Sequence, residues 1–294
     1  MSFRDYLEEQ QKLVDCELDR LVPAESVPPA TIHRAMRYSL FAGGKRVRPL
    51  LCLAAADAVA GPVDGAVTAA STLEFIHTYS LIHDDLPALD NDDYRRGKLT
   101  CHKVFGDAMA ILAGDALLTL AFHVLSASLS VGDRQKALLA AELSIASGTV
   151  GGMIGGQVAD LEGEGRPPDA ALLESIHRAK TGALLRASVR MGAIYAGAST
   201  GQLAALSSYG EHMGLAFQMI DDILDVEQSS ETLGKTAGKD AQQNKITFPA
   251  VYGLAESKRM AESALAEAHA ALESFGPRAR RLHELADLIV QRKA

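Results

Sequence analysis

The sequence predicts an all-α fold, built as one domain over residues 1–294. Three observations predict it. Apolar residues recur at three- and four-residue spacings through most of the chain, as amphipathic helices require. Gly and Pro clusters punctuate these stretches at helix-length intervals. Aromatic residues are only 5%, and no apolar–polar alternation with turn chemistry is visible, so strands are not expected.

The elements follow in order. Phe3 to Leu21 carries the first amphipathic pattern, and Pro28-Pro29 opens a second, Thr31 to Phe41, which stops at Gly43-Gly44. Helices are then expected over 47–60, 65–85, 106–129, 133–149, 151–161, 169–195, 202–228, 244–272 and 279–292. Between them stand Gly61-Pro62, Pro87, Val131-Gly132-Asp133, the Gly/Pro-rich stretches 163–168, 197–201 and 234–238, and Gly276-Pro277. The apolar stretch 108–126 reaches membrane-spanning length, but Asp115 interrupts it, which predicts a buried helix and no span. No linker, low-complexity tract or fixed-period repeat divides the chain.

Composition narrows the function. Apolar residues make up 48% and charged residues 22%, ordinary for a globular protein. Lys and Arg number 29 against 37 Asp and Glu, a net charge of −8 without a long basic block, so nucleic acid is not an expected partner. Cys16, Cys52 and Cys101 are scattered, which speaks against a disulfide framework and a structural zinc site. The first residues, Met1 to Glu9, hold charges where a signal peptide needs an apolar run, so a cytoplasmic location is expected.

Two carboxylate clusters carry the chemistry. In the first, Asp84, Asp85, Asp90, Asp92 and Asp93 crowd around Pro87, and such acids repel one another unless cations neutralise them. A solvated acidic turn is the bland alternative. An EF-hand is excluded, because Tyr94 breaks the alternating acids and no Gly or closing Glu stands in register. In the second, Asp221 and Asp225 are four apart on one helix face, with Asp222 beside them and Gln218 one turn earlier. Apolar neighbours on both sides mean that these acids lose solvation and need a partner. Mg²⁺ typically combines a few carboxylates with substrate phosphates, so two such arrays across a helical cavity would suit a diphosphate.

Basic residues answer the acids. Lys45 and Arg48 follow the Gly43-Gly44 turn where it enters a helix, and turn, cations and helix dipole all favour a phosphate. Arg95-Arg96-Gly97 follows the first cluster. Lys180-Thr181-Gly182 lies in an Ala/Leu-rich helix, where the lysine either snorkels to the surface or enters a polar cavity. Lys235 and Lys245 flank the Gly-rich stretch after the second cluster.

Gly43-Gly44-Lys45-Arg46-Val47-Arg48-Pro49, the run Leu81 to Asp90, Arg95-Arg96-Gly97, Lys180-Thr181-Gly182 and the run Gly214 to Asp225 together resemble the signature regions of trans-isoprenyl diphosphate synthases, the short-chain bacterial type. The matches run from about residue 40 to 250, in the family's order. The resemblance implies an all-α bundle around a deep central cavity, usually a homodimer. It implies that Asp84, Asp85, Asp90, Asp221, Asp222 and Asp225 bind Mg²⁺, about three ions per site with substrate bound, for which Mn²⁺ can substitute. Arg95, Lys180, Lys235 and Lys245 would contact the allylic diphosphate. Lys45, Arg48, His77 and Arg96 would hold isopentenyl diphosphate, and Thr181 and Gln218 would face the forming allylic cation. His77 lies two turns before Asp84 on the same face, with a satisfied core histidine as the competing reading.

Tyr79, followed by small Ser80, occupies the position where the family places a cavity floor, which favours farnesyl over geranylgeranyl diphosphate as product. Ideal geometry sets Tyr79 about 140° around the helix from Asp84. The tail from Gln291 to Ala294 departs from the basic ending common in the family. A non-catalytic subunit of a larger synthase and a cyclising terpene synthase are the competing classes; intact acidic arrays argue against the first, and Lys45 with Arg48 against the second.

Overall fold

The computed structural model describes residues 1–167, 169–227 and 246–290. Lys235, Lys245 and the tail from Gln291 lie outside the described residues. The chain divides into two compact units, Met1–Leu53 with Asp64–Ala140, and Ala54–Val63 with Ala141–Ala294.

In the first unit, α1 (Phe3–Leu21) begins at a capping box in which Ser2 Oγ accepts from the Asp5 amide and the Asp5 carboxylate accepts from Ser2 N. Next come α2 (Ala30–Leu40) and the start of α3 (Val47–Ala60). Helix α4 (Ala66–Asp84) is buried on nearly every face through Leu73, Phe75, Ile76, Tyr79 and Ile82. Then come β1 (Tyr94–Arg95), β2 (Lys98–Leu99), α5 (Cys101–Phe105), α6 (Asp107–Ala127) and most of α7 (Asp133–Ser147). Helix α6 is long and apolar enough to cross a membrane by length and composition. Its inner face, Ala110, Ala113, Gly114, Leu117 and Ala121, is buried, and the helix packs against α4. Gly114 allows that approach, since a Cβ there would stand 2.2 Å from His83 Nε2.

The second unit contains α8 (Met153–Gly163), α9 (Ala170–His177), a π-helical turn (Arg178–Gly182) and α10 (Ala183–Tyr195). After these come α11 (Thr200–Glu227), α12 (Phe248–Tyr252), α13 (Leu254–Ala271), a 3₁₀ segment (Glu273–Ala279) and α14 (Arg280–Val290). Helix α11 is the spine of this unit. Its Gly210 and Gly214 let backbones close in, for a Cβ would lie 2.8 Å from Arg186 Cα and 3.0 Å from Gly182 Cα, respectively. Leu173, Met219, Ile246, Phe248 and Ala261 form a buried cluster, and the Tyr209 hydroxyl donates to the Leu282 carbonyl at 2.8 Å, docking α14.

The all-α expectation holds, and the departures have local causes. Residues 94–99 form a short antiparallel hairpin where no strand was expected, its register Tyr94 to Leu99 and Arg95 to Lys98. The expected helix 244–272 is broken at Gly253, whose φ of 81° is open only to a residue without a Cβ penalty. The expected helix 169–195 is continuous, but one turn of it is π-helical.

Candidate functional site

The first unit gathers one acidic and one basic group. Helix α4 ends when Asp85 N bonds the Leu81 carbonyl, and the chain then folds back so that Asp90 N bonds the Asp84 carbonyl at 2.8 Å. Asp84 and Asp90 are half-buried; Asp85 is buried. The hairpin returns Arg95 onto Asp85, with Nε 2.8 and 2.9 Å from the two carboxylate oxygens and Nη2 2.6 Å from Oδ1. Burial nevertheless pushes the Asp85 carboxyl above the usual range; Arg95 opposes this, and the charges of Asp92 and Asp90 reinforce it.

The Gly43-Gly44 turn meets the same hairpin. Arg96 (φ 54°) donates to the Gly43 carbonyl, and a Cβ on Gly44 would lie 2.6 Å from its Nη1. A side chain at Gly44 would push that guanidinium aside, and the glycine's φ of 142° is itself strained for other residues. Arg46 (φ 51°) turns inward, donating at 2.8 Å each to Asp15, Glu74 and the Leu40 carbonyl. Lys45 is left exposed and Arg48 half-buried on either side of it. Burial first, then the charges of Arg48, Arg96, Arg95 and Arg46, hold the His77 imidazole well below its ordinary value. The charges of Arg48, Arg95 and Arg96 thus all act on His77, while Lys45 stands exposed three residues before Arg48. Sequence reasoning gave Arg46 no partner and overlooked Glu74. The signal was there: a lone carboxylate inside the apolar run Leu73 to Ile76 must find a cation.

Tyr79 is buried, its ring edge-on to His83 at 5.7 Å and 76°. Its hydroxyl is buried without a hydrogen-bond partner, and burial with the Asp84 charge pushes the phenol up to about 12. Ser80 spends its hydroxyl on the His77 carbonyl at 2.9 Å.

In the second unit the π turn carries Lys180 and Thr181. Lys180 Nζ donates to Asp160 Oδ2 at 2.6 Å, so the lysine neither snorkels freely nor stands alone. Asp160 was not foreseen. Its signal is the small pair Gly155-Gly156 one turn earlier in α8, for a Cβ on Gly156 would fall 2.2 Å from Lys180 N. On α11, Gln218 Nε2 donates to Asp222 Oδ1 at 3.2 Å. Asp222 Oδ2 accepts from Phe248 N at 2.9 Å and lies 3.3 Å from His177 Nε2. Gln218 thus joins Asp222, whereas Asp221 and Asp225 are half-buried on the neighbouring face.

Among the described residues, no three His, Cys, Asp or Glu side chains are gathered into a complete metal cage. Hard carboxylate donors in ones and twos suit Mg²⁺, which keeps waters and takes phosphate oxygens as further ligands. Within the first unit Arg95 pairs with Asp85, and within the second Lys180 pairs with Asp160; such cations suit phosphate oxygens.

The family model described as polyprenyl synthetase matches residues 29–276. The chain is 48% identical over 290 residues to a dimethylallyltranstransferase of Fischerella ambigua, covering 98% of this chain and 83% of that protein. It is 47% identical to a chloroplastic geranylgeranyl pyrophosphate synthase of Capsicum annuum, covering 99% and 79%. Among solved structures, a synthase of Zymomonas mobilis described as FPP/GFPP superposes with a TM-score of 0.87 at 36% identity, over 98% of each chain.

Proposed function

The chain belongs to the polyprenyl synthetase family and is a prenyltransferase, and on that premise we propose that it condenses dimethylallyl and geranyl diphosphates with isopentenyl diphosphate to give farnesyl diphosphate. One observation carries the reading: at the end of α4, the Arg95 guanidinium pairs with buried Asp85, next to half-buried Asp84 and Asp90. Acids for metal and cations for diphosphate meet in one place.

Half-buried Asp84 and Asp90 in the first unit, and half-buried Asp221 and Asp225 in the second, would hold Mg²⁺, which would supply Lewis-acid neutralisation of the departing diphosphate. Arg95, oriented by Asp85, and Lys180, oriented by Asp160, bind the allylic diphosphate. Lys45, Arg48 and Arg96 bind the second diphosphate; His77, held neutral, contributes a hydrogen bond rather than a charge. Thr181 turns its hydroxyl oxygen to the reacting allyl group. The apolar helices exclude water, which would quench a carbocation. The same reading takes residues 1–294 as one catalytic domain in the cytoplasm. It also includes a homodimer, for which Ile111 and Leu112, 45% and 52% exposed, give α6 an apolar outer face.

Tyr79 supports the fifteen-carbon product, because a buried ring one turn before the acids occupies space a longer chain would need. A twenty-carbon product is the second reading, favoured by the relative named as a geranylgeranyl pyrophosphate synthase. Purified protein with dimethylallyl and isopentenyl diphosphates and Mg²⁺, followed by chromatographic sizing of the products, decides between them. Product of neither length at saturating Mg²⁺ would overturn both.

A further inference from the structure

We propose that Asp222 is a positioning residue that locks the π turn and Gln218 into register, and that it does not ligate metal. This rests on the prenyltransferase reading and assigns one of its six acids a different task. Asp222 is 4% exposed, and the contacts around its carboxylate come from three directions. From its own helix, Gln218 Nε2 donates to Oδ1 at 3.2 Å. From α12, the Phe248 amide donates to Oδ2 at 2.9 Å. From the end of α9, His177 Nε2 stands 3.3 Å from Oδ2.

The aromatic packing fixes the same arrangement. The His177 ring lies on Phe248 at 5.3 Å and 14°, and Phe248 lies on Tyr252 at 5.9 Å and 23°. The two residues that reach Asp222 Oδ2 are therefore also stacked on each other. If this carboxylate turns toward a metal it abandons the Phe248 amide and the Gln218 amide and leaves the His177 ring beside an empty place, which costs free energy. Asp221 and Asp225, half-buried, carry no comparable burden of burial.

Position in the chain gives the clamp its consequence. His177 is the last residue of α9, and the π turn with Lys180 and Thr181 starts at the next residue. Single π turns inside α-helices are rare and are frequent at functional sites. Asp222 thus ties the start of that turn to α11 while it fixes the Gln218 amide. Three groups assigned to the allylic substrate, Lys180, Thr181 and Gln218, thus share one buried anchor.

The test compares Asp222→Asn, His177→Phe, their double variant and Asp221→Asn. Binding of Mn²⁺ in the presence of inorganic pyrophosphate is read by the electron paramagnetic resonance of free Mn²⁺. Turnover is read per folded molecule, with KM for each diphosphate and a thermal melt. We expect Asp222→Asn and His177→Phe each to lower kcat by about 10- to 100-fold, the usual cost of misplaced groups. The double variant should be no worse than the poorer single, and Mn²⁺ binding should stay near wild type. Asp221→Asn should weaken Mn²⁺ by about tenfold, since affinity follows ligand charge count. Equal weakening of Mn²⁺ by Asp222→Asn would overturn the assignment, as would activity per folded molecule unchanged from wild type. If the wild type makes no prenyl product, the functional reading fails by itself, and the Mn²⁺ and melting measurements still decide whether Asp222 is a ligand.

Discussion

At the scale of single residues, the buried charges are specific. Arg46 and Glu74 are each only 3% exposed at the side chain and pair at 2.8 Å. Removing one member leaves the other charged in an apolar helix, which typically costs about 3–5 kcal/mol. Arg46→Met should therefore lower stability by about that amount, read by urea unfolding, and Arg46→Met with Glu74→Leu should recover much of it. A single variant as stable as wild type would show that water reaches Glu74. Tyr79 is a different case, because its buried hydroxyl has no hydrogen-bond partner. Tyr79→Phe should leave stability and product length unchanged. Tyr79→Ala removes the ring and should shift products from fifteen carbons to twenty or more, if the ring limits growth. Chromatography beside a thermal melt separates that from simple core damage, in which stability falls by about 3–5 kcal/mol and product length does not move.

Elements meet where glycines permit it. Gly156 on α8 faces the π turn so closely that a Cβ would lie 2.2 Å from Lys180 N and 2.6 Å from its Cα. Ala would gain about 1 kcal/mol of helix propensity. The collision is with backbone, which cannot swing aside, and overpacking of this kind costs typically about 1–3 kcal/mol. The collision should win, so Gly156→Ala should lower the melting temperature and lower turnover by shifting Lys180 from Asp160. Gly201, in the first turn of α11, has open space around its missing Cβ. There the propensity gain is unopposed, and Gly201→Ala should raise stability by up to about 1 kcal/mol. Variants that move in the same direction would show that the α8 contact is looser than its geometry.

Across the whole molecule, helix positions were legible because periodicity and caps are local. Phe3–Leu21 is bounded as read, with Ser2 and Asp5 forming its cap. The π turn was not legible, since Arg178–Gly182 keeps helical periodicity and differs by one residue per turn. Nor was the pairing of Asp85 with Arg95, which depends on a two-residue hairpin too short to show alternation. The acidic and basic clusters could be read as lists, but which acid meets which base is set by packing. That packing has a consequence for the stability of the folded chain. Burial and the charges of Arg48, Arg96, Arg95 and Arg46 hold His77 well below its ordinary value in the folded state. In the unfolded chain it titrates near 6.5. Below that pH the unfolded chain takes up a proton that the folded chain refuses, so stability falls as pH falls. The slope from this one group is at most about 1.4 kcal/mol per pH unit. Asp85 acts in the opposite sense, because burial raises its folded value, so its contribution is lost as pH rises through that value. Urea unfolding of wild type and His77→Gln at pH 7, 6 and 5 should show a wild-type loss between pH 6 and 5 that the variant lacks. Parallel curves would mean that His77 takes up its proton in the folded protein despite the arginines around it.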